Sequence, residues 1–295
     1  MMLIVRGRTD MSLALEVGIP QVSANDTVDA IVSASKRGRF FPLRSEFVQR
    51  WVEGKPVAGP LARLVSAGDL RALQLYLLLV TKACAPPWDS ALPASVWARA
   101  LDLPLPESKT ARSTISKIWL RLERHRLVDR KRHERLADVF LLREDGSGDA
   151  YTSPGEVGDR YLRVPLAFWR EGPAGTGSRW FHEMSVPELS VLLIARSLSD
   201  GFWLPQERGP EWYGISADTI NRGIGGLSRL GLLQVDKKFK KAPLSAVGYT
   251  AEHHYTLLPP FGPVGRKAGT RPQSKVPPTT GPAKTSRRVR KVLKS

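Results

Sequence analysis

The side chains best suited to chemistry fall in two short sets, both rich in donors and cations. Lys109, Arg112, Ser113, Ser116 and Lys117 form the first; Ser216, Asp218, Thr219, Asn221 and Arg222 form the second. An arginine can donate two parallel hydrogen bonds to guanine, and an asparagine can pair a donor and an acceptor with adenine. Arg112, Asn221 and Arg222 are therefore the best candidates for reading bases. A cationic cluster follows each set: Arg130, Lys131, Arg132 and Arg135 after the first, Lys237, Lys238, Lys240 and Lys241 after the second. These suit phosphates or an adjacent minor groove, contacts that position a protein without specifying sequence. Either set alone would read as a solvated face. Two sets, each followed by a basic cluster, argue for a nucleic acid.

Such side chains need helices to carry them. At about 100° per residue, Ala111, Ile115, Ile118, Trp119 and Leu122 share one helix face, opposite Ser113, Ser116, Lys117, Leu120, Arg121 and Arg124. Ala217, Ile220, Ile224, Leu227 and Gly231 do the same, opposite Asp218, Asn221, Arg222, Gly225 and Arg229. Each helix then gives way to alternating apolar residues around a polar turn, the pattern of a hairpin. Upstream of each lie an extended lead-in (39–48 and 160–169), an apolar helix (69–84 and 186–198) and a shorter helix (93–101 and, weakly signalled, 206–213). Asp69 and Ser185 are placed to cap the apolar helices. Gly223, Gly225 and Gly226 cost their helix roughly 1 kcal/mol each relative to alanine. Close approach of its backbone to DNA or to a neighbouring helix would account for them.

Three stretches recur in the same order. Arg39–Phe47 matches Arg160–Phe168 at an offset of 121; Ser66–Leu70 matches Ser185–Leu189 at 119; Thr114–Val128 matches Thr219–Leu233 at 105. The run from Gly214 to Ile220, with Ser216 and Thr219, leads on to Leu227-Ser228-Arg229-Leu230-Gly231-Leu232. It resembles the third helix and first wing strand of bacterial winged-helix regulators. The first half matches less well, with Arg126 where the glycine would stand. Two such units in one chain are also similar in layout to iteron-type plasmid replication initiators. The resemblance covers about 60–145 and 180–258. It implies a mainly α fold with small β wings, two winged helix-turn-helix units in tandem, and double-stranded DNA as partner. It leaves transcriptional regulation, replication initiation and a protein-binding scaffold open. The expected organisation is an unassigned segment 1–38, a first unit 39–145, a linker 146–159, a second unit 160–258 and a basic tail 259–295.

Charge supports a polyanionic partner. Lys and Arg number 45 against 28 acids, a net of +17. The excess lies in 108–135, in 216–241 and in the tail, where Arg287, Arg288, Arg290 and Lys291 could add phosphate contacts. No apolar run approaches the ~20 residues that span a bilayer, and the start does not read as a secretory signal. A cytoplasmic, nucleoid-associated protein is expected, with self-association or contact with the replication or transcription machinery as further partners. Nothing argues for an enzyme, a metal or another cofactor. Gly172–Ser178 is glycine-rich but lacks the lysine of a phosphate-binding loop. The five histidines lack metal-ligand spacing. Cys84, the one cysteine, is expected to be buried at the end of an apolar helix, and the eight tryptophans to serve the core.

Overall fold

The computed structural model describes residues 21–133, 136–155 and 159–262, leaving aside the side chains of Arg132, His133 and Leu136. A capping box opens the first helix: the Ser23 N–H donates to Asp26 (2.9 Å) and the Asp26 N–H to the Ser23 hydroxyl (3.1 Å). That helix, α1 (Ala24–Ala34), lies in the segment left unassigned from sequence. It buries Val28, Ile31 and Val32.

In the first half, β1 (Phe40–Arg44) is followed by a 3-10 turn at Ser45–Phe47 and a hairpin of β2 (Gln49–Val52) and β3 (Lys55–Ala58). Then come α2 (Leu61–Ser66), α3 (Leu70–Lys82), β4 (Asp89–Ser90), α4 (Ala94–Ala100), α5 (Lys109–Arg124), β5 (Val128–His133) and β6 (Leu136–Leu141). In the second half, β7 (Tyr161–Pro165) is followed by α6 (Ala167–Arg170), α7 (Trp180–Glu183), α8 (Val186–Ser197) and β8 (Phe202–Trp203). A 3-10 turn at Gln206–Arg208, α9 (Gly209–Tyr213), α10 (Ala217–Arg229), β9 (Leu233–Lys241) and β10 (Tyr249–Leu257) complete it.

The two halves share one topology. Their three-stranded antiparallel sheets run β4-β6-β5 and β8-β10-β9. In each, a two-residue strand before the shorter helices joins the hairpin that follows the amphipathic helix. The halves are themselves joined by β1 and β7, which pair antiparallel. Phe41 faces Val164, Leu43 faces Leu162, and Pro42 faces Arg163. Under the 121-residue offset, Pro42 and Arg163 are counterparts, and the other two pairs exchange. The lead-ins therefore meet about a local quasi-twofold axis through Pro42 and Arg163.

The expectation of a mainly α fold is corrected. Among the described residues the protein is mixed α/β, 41% helical and 22% strand, with four small antiparallel sheets. The strand content beyond the expected hairpins has three sources. The lead-ins pair across the halves. β2 and β3 add a hairpin with no clear apolar alternation. β4 and β8, two residues each, are too short for any period to show. The repeat register is also adjusted around α3. Asp69 accepts from the Ala72 N–H (3.1 Å) as its cap, whereas Ser66 ends α2. Asp69 and not Ser66 is thus the counterpart of Ser185, the cap of α8.

α3 and α8 form the centre. Leu73, Leu75 and Leu77–Val80 of α3 are buried, as are Leu189 and Val191–Ala195 of α8, so both helices are apolar nearly all round. Trp169 donates from Nε1 to the Thr81 hydroxyl (3.0 Å), and its ring packs on Phe168 and Phe181. Trp97 meets Trp119 edge-on at 5.5 Å. Four tryptophans are buried, but Trp51 and Trp203 are about half exposed (57% and 46%). Cys84 is exposed, contrary to expectation, because the chain leaves α3 at Ala83 and carries Cys84 outward. The packed body continues past 258: Phe261 is buried and its carbonyl accepts from Arg196 (2.8 Å).

A buried ionic cluster ties 144–159 to β1. Arg44 donates to the Glu144 carboxylate (2.6 Å), to Thr152 (2.8 Å to Oγ1, 2.9 Å to the carbonyl) and to Asp159 (3.0 Å). Arg44 and Glu144 are almost wholly buried. Burial pushes the Glu144 carboxyl up, and the adjacent Arg44 charge only partly offsets this. Burial acts on Asp159 in the same sense, but hydrogen bonding and charge from Arg44 prevail and hold its carboxyl below the ordinary range.

Candidate nucleic-acid interface

α5 begins at Ser108, whose hydroxyl accepts from the Ala111 N–H (3.0 Å). It buries Ala111, Ile115, Ile118, Trp119 and Leu122 against the first-half core. Lys109, Arg112, Ser113, Ser116 and Lys117 are all exposed on the other side. None of their side chains engages another described residue. They form an unbroken polar face over the first two turns, which is where a helix end-on in a major groove meets base edges.

α10 is capped by Ser216, which accepts from the Thr219 N–H (3.2 Å) and shares a hydroxyl contact with Thr219 (2.9 Å). Ile220, Ile224 and Leu227 are buried; Asp218, Asn221 and Arg222 are exposed. Unlike the first set, these side chains are partly engaged. Arg222 pairs with Asp218 (2.9 Å), one turn back. The Asn221 carbonyl oxygen accepts from the Gln206 side chain (3.2 Å), which leaves its NH2 group as the free donor. Arg112 thus offers an uncommitted guanidinium, whereas Arg222 must trade a carboxylate for a base.

The three glycines of α10 divide by face. A Cβ on Gly223 would lie 2.4 Å from the Pro187 carbonyl oxygen and 2.5 Å from Val191 Cγ2 of α8. One on Gly226 would overlap the Glu188 side chain, with its Cγ at 2.4 Å. Both glycines let α10 lie close on α8. Gly225 faces open space, in line with Asp218 and Arg222.

The hairpins differ. In the first, Arg130 is not free: it donates to Glu123 of α5 (2.5 Å) and to the Ser116 carbonyl (3.4 Å), and so braces the hairpin against the helix. Lys131 is exposed with its Nζ 4.9 Å from the centre of the Phe140 ring. The Arg132 side chain and Arg135 lie outside the described residues. In the second, Lys237, Lys238, Lys240 and Lys241 are all exposed; Glu252 stands opposite Lys238 in the register, and among the described residues only Lys240 of the four forms an ion pair, with Glu252 at 3.4 Å. Arg287, Arg288, Arg290 and Lys291 of the tail lie outside the described residues.

Several positioning groups have no local signal in the sequence. Arg121 of α5 holds Asp69 at the start of α3 (2.5 and 3.1 Å). Gln49 of the β2–β3 hairpin donates to the Trp212 carbonyl of α9 (2.9 Å). Gly214, the turn between α9 and α10, has φ +64°, and a Cβ there would meet Ala58 at 2.8 Å and Ala62 at 3.0 Å. The first half therefore supports the turn that aims the second polar helix. Of the two readings of the three glycines, Gly223 and Gly226 take the neighbouring helix, α8.

Among the described residues, no group of three or more His, Cys, Asp or Glu is arranged to hold a metal ion, and no helix is long and apolar enough to cross a membrane. No protein-family model, curated protein or solved structure matches the chain.

Proposed function

We propose that the chain is a sequence-specific double-stranded-DNA-binding protein that catalyses no reaction. Each half acts as a winged helix-turn-helix: α4–α5 with the β5–β6 wing, and α9–α10 with the β9–β10 wing. α5 and α10 enter major grooves, Arg112, Asn221 and Arg222 read bases, and the lysines of the wings hold phosphates. The observation that carries this is the repeated arrangement itself. An amphipathic helix with an exposed polar face runs directly into a basic hairpin in both halves, with the same strand order. Transcriptional regulation is the role we favour, in the cytoplasm and on the nucleoid. Replication initiation is a second reading, favoured by the presence of two such units joined through β1 and β7 in one chain.

The test is selection of fragments of the source genome by the purified chain at ~0.15 M salt, where binding through phosphates alone is weakened. Enrichment of a two-part motif supports sequence reading. Promoter sites then favour regulation, and clustered direct repeats favour initiation. Uniform recovery of all fragments, abolished by removing residues 263–295, would refute the proposal and assign the two units to protein partners.

A further inference from the structure

The second wing is built differently from a simple phosphate contact. β9 and β10 alternate in the usual way, so Leu233, Val235, Lys237, Phe239 and Lys241 share a face with Tyr249, Tyr255 and Leu257. At the base, Leu233, Tyr255 and Leu257 turn this face to the core. Further out the same face continues past the body for ~20 Å, at about 3.3 Å per residue. There it carries Phe239, 68% exposed, packed edge-on against the half-exposed Tyr249 at 5.4 Å. Leu244 in the connecting loop is fully exposed, and Val247 is largely so. Lone exposed apolar residues need no explanation, but four together at the tip of one hairpin do. From Lys237 to Tyr249 the hairpin has four lysines and no acid.

We propose that this tip is an apolar wedge: it enters the minor groove beside the major groove occupied by α10, inserts Leu244 at a base step, and kinks the duplex. The occupant follows from charge. All four lysines lie on β9, two on the Phe239 face and two on the other, and supply cations for the phosphates that line a groove about 6 Å wide. Apolar side chains from such elements part base steps and bend the duplex. The inference rests on the duplex-binding function proposed above, and adds to it that the protein deforms its site and does not only read it.

The test uses the full chain on a closed-circular plasmid relaxed by a type I topoisomerase, with bound protein measured in parallel by filter retention. Wedge insertion unwinds the duplex, so the wild type should shift the topoisomer distribution in proportion to bound chains. The L244S/V247S variant, altered only at exposed positions and checked for an unchanged melting temperature, should bind within about threefold of wild type. It should lose at least half of the shift per bound chain, and L244F should retain it. Equal shifts for wild type and L244S/V247S, or plasmid binding by wild type with no shift, would overturn the wedge while leaving duplex binding intact. Failure of wild type to bind plasmid would instead refute duplex binding. If wild type, but not L244S/V247S, co-sediments with phosphatidylglycerol vesicles while the shifts stay equal, the tip serves a lipid surface and the wedge is wrong.

Discussion

Replacing Gly223, Gly225 and Gly226 of α10 by alanine, one at a time, should give effects of opposite sign within four residues of one helix. Alanine in place of glycine in a helix gains about 1 kcal/mol from propensity alone. At Gly225 nothing opposes that gain, because a Cβ meets no atom within 4 Å. At Gly223 the new atom would lie 2.4 Å from the Pro187 carbonyl oxygen and 2.5 Å from Val191. Backbone cannot yield cheaply, so α10 must move off α8, and overpacking of this kind costs about 1–3 kcal/mol. Gly223→Ala should therefore be destabilising by up to ~2 kcal/mol after the propensity gain is set against it. Gly226→Ala falls between the two, since its nearest obstacle is the side chain of Glu188. Thermal melts followed by circular dichroism resolve this: about 2–4 °C per kcal/mol is expected for a domain of 150–250 residues. The same proteins serve a binding assay. Gly225→Ala should melt higher, and it should bind DNA more weakly if the α10 backbone approaches the duplex closely at this bare position. Equal stabilisation by Gly223→Ala and Gly225→Ala would refute the close packing of α10 on α8.

Three further outcomes are expected. Arg44→Met strands Glu144 without its partner in a buried site and should cost about 3–5 kcal/mol, seen as a lower denaturation midpoint; the double change with Glu144→Leu should recover much of it. Arg112→Ala should weaken binding to a selected site by about 1–3 kcal/mol and relax its sequence preference, whereas Lys117→Ala should weaken all sequences alike and reduce the salt dependence. Burial, then the Arg63 charge, lowers His125 below its ordinary value of 6.5. Its neutral form is thus favoured in the folded state, so this contribution to stability is complete above about pH 6.5 and lost as pH falls below it; melts at pH 7.5 and 5.5 should show a smaller difference in His125→Gln than in wild type.

What could be read from the sequence was set by the length of each element. α5 and α10 run for four turns or so, and their buried faces, Ile115–Ile118–Leu122 and Ile220–Ile224–Leu227, follow helical spacing. β4 and β8 have two residues each and no period, yet they make each hairpin a three-stranded sheet. Arg44 looks like any surface arginine, and its acidic partner Glu144 is 100 residues away in the chain. Arg44 is the last residue of β1, opposite Tyr161 of β7, so the pair depends on strands far apart in the chain. Arg130 had the composition of a free phosphate contact, but Glu123 lies seven residues earlier, within reach once the hairpin folds back on α5. Local pattern locates the polar helix faces. Which of their cations are already spent on internal partners is a matter of tertiary placement.

The placement of the two polar helices depends on contacts between the halves more than on either half alone. α1 packs on the first-half core and is tied to the second half, where Arg179 holds Asp29 at 2.7 Å. The Arg44 cluster anchors the connection between halves to β1, and β1 pairs with β7. The β2–β3 hairpin has no equivalent among the described residues of the second half, whereas α2, like α7, directly precedes a central apolar helix; the hairpin and α2 run from the first half to the turn that precedes α10, through Gln49 on Trp212 and Ala58 and Ala62 against Gly214. A short flexible link would leave α5 and α10 free to find separate sites, with orientational freedom lost on binding. Here that freedom is already removed in the folded chain. The insertion that breaks the likeness of the two halves is also what orients the second helix-turn-helix, so the asymmetry of the repeat is part of how the pair is held.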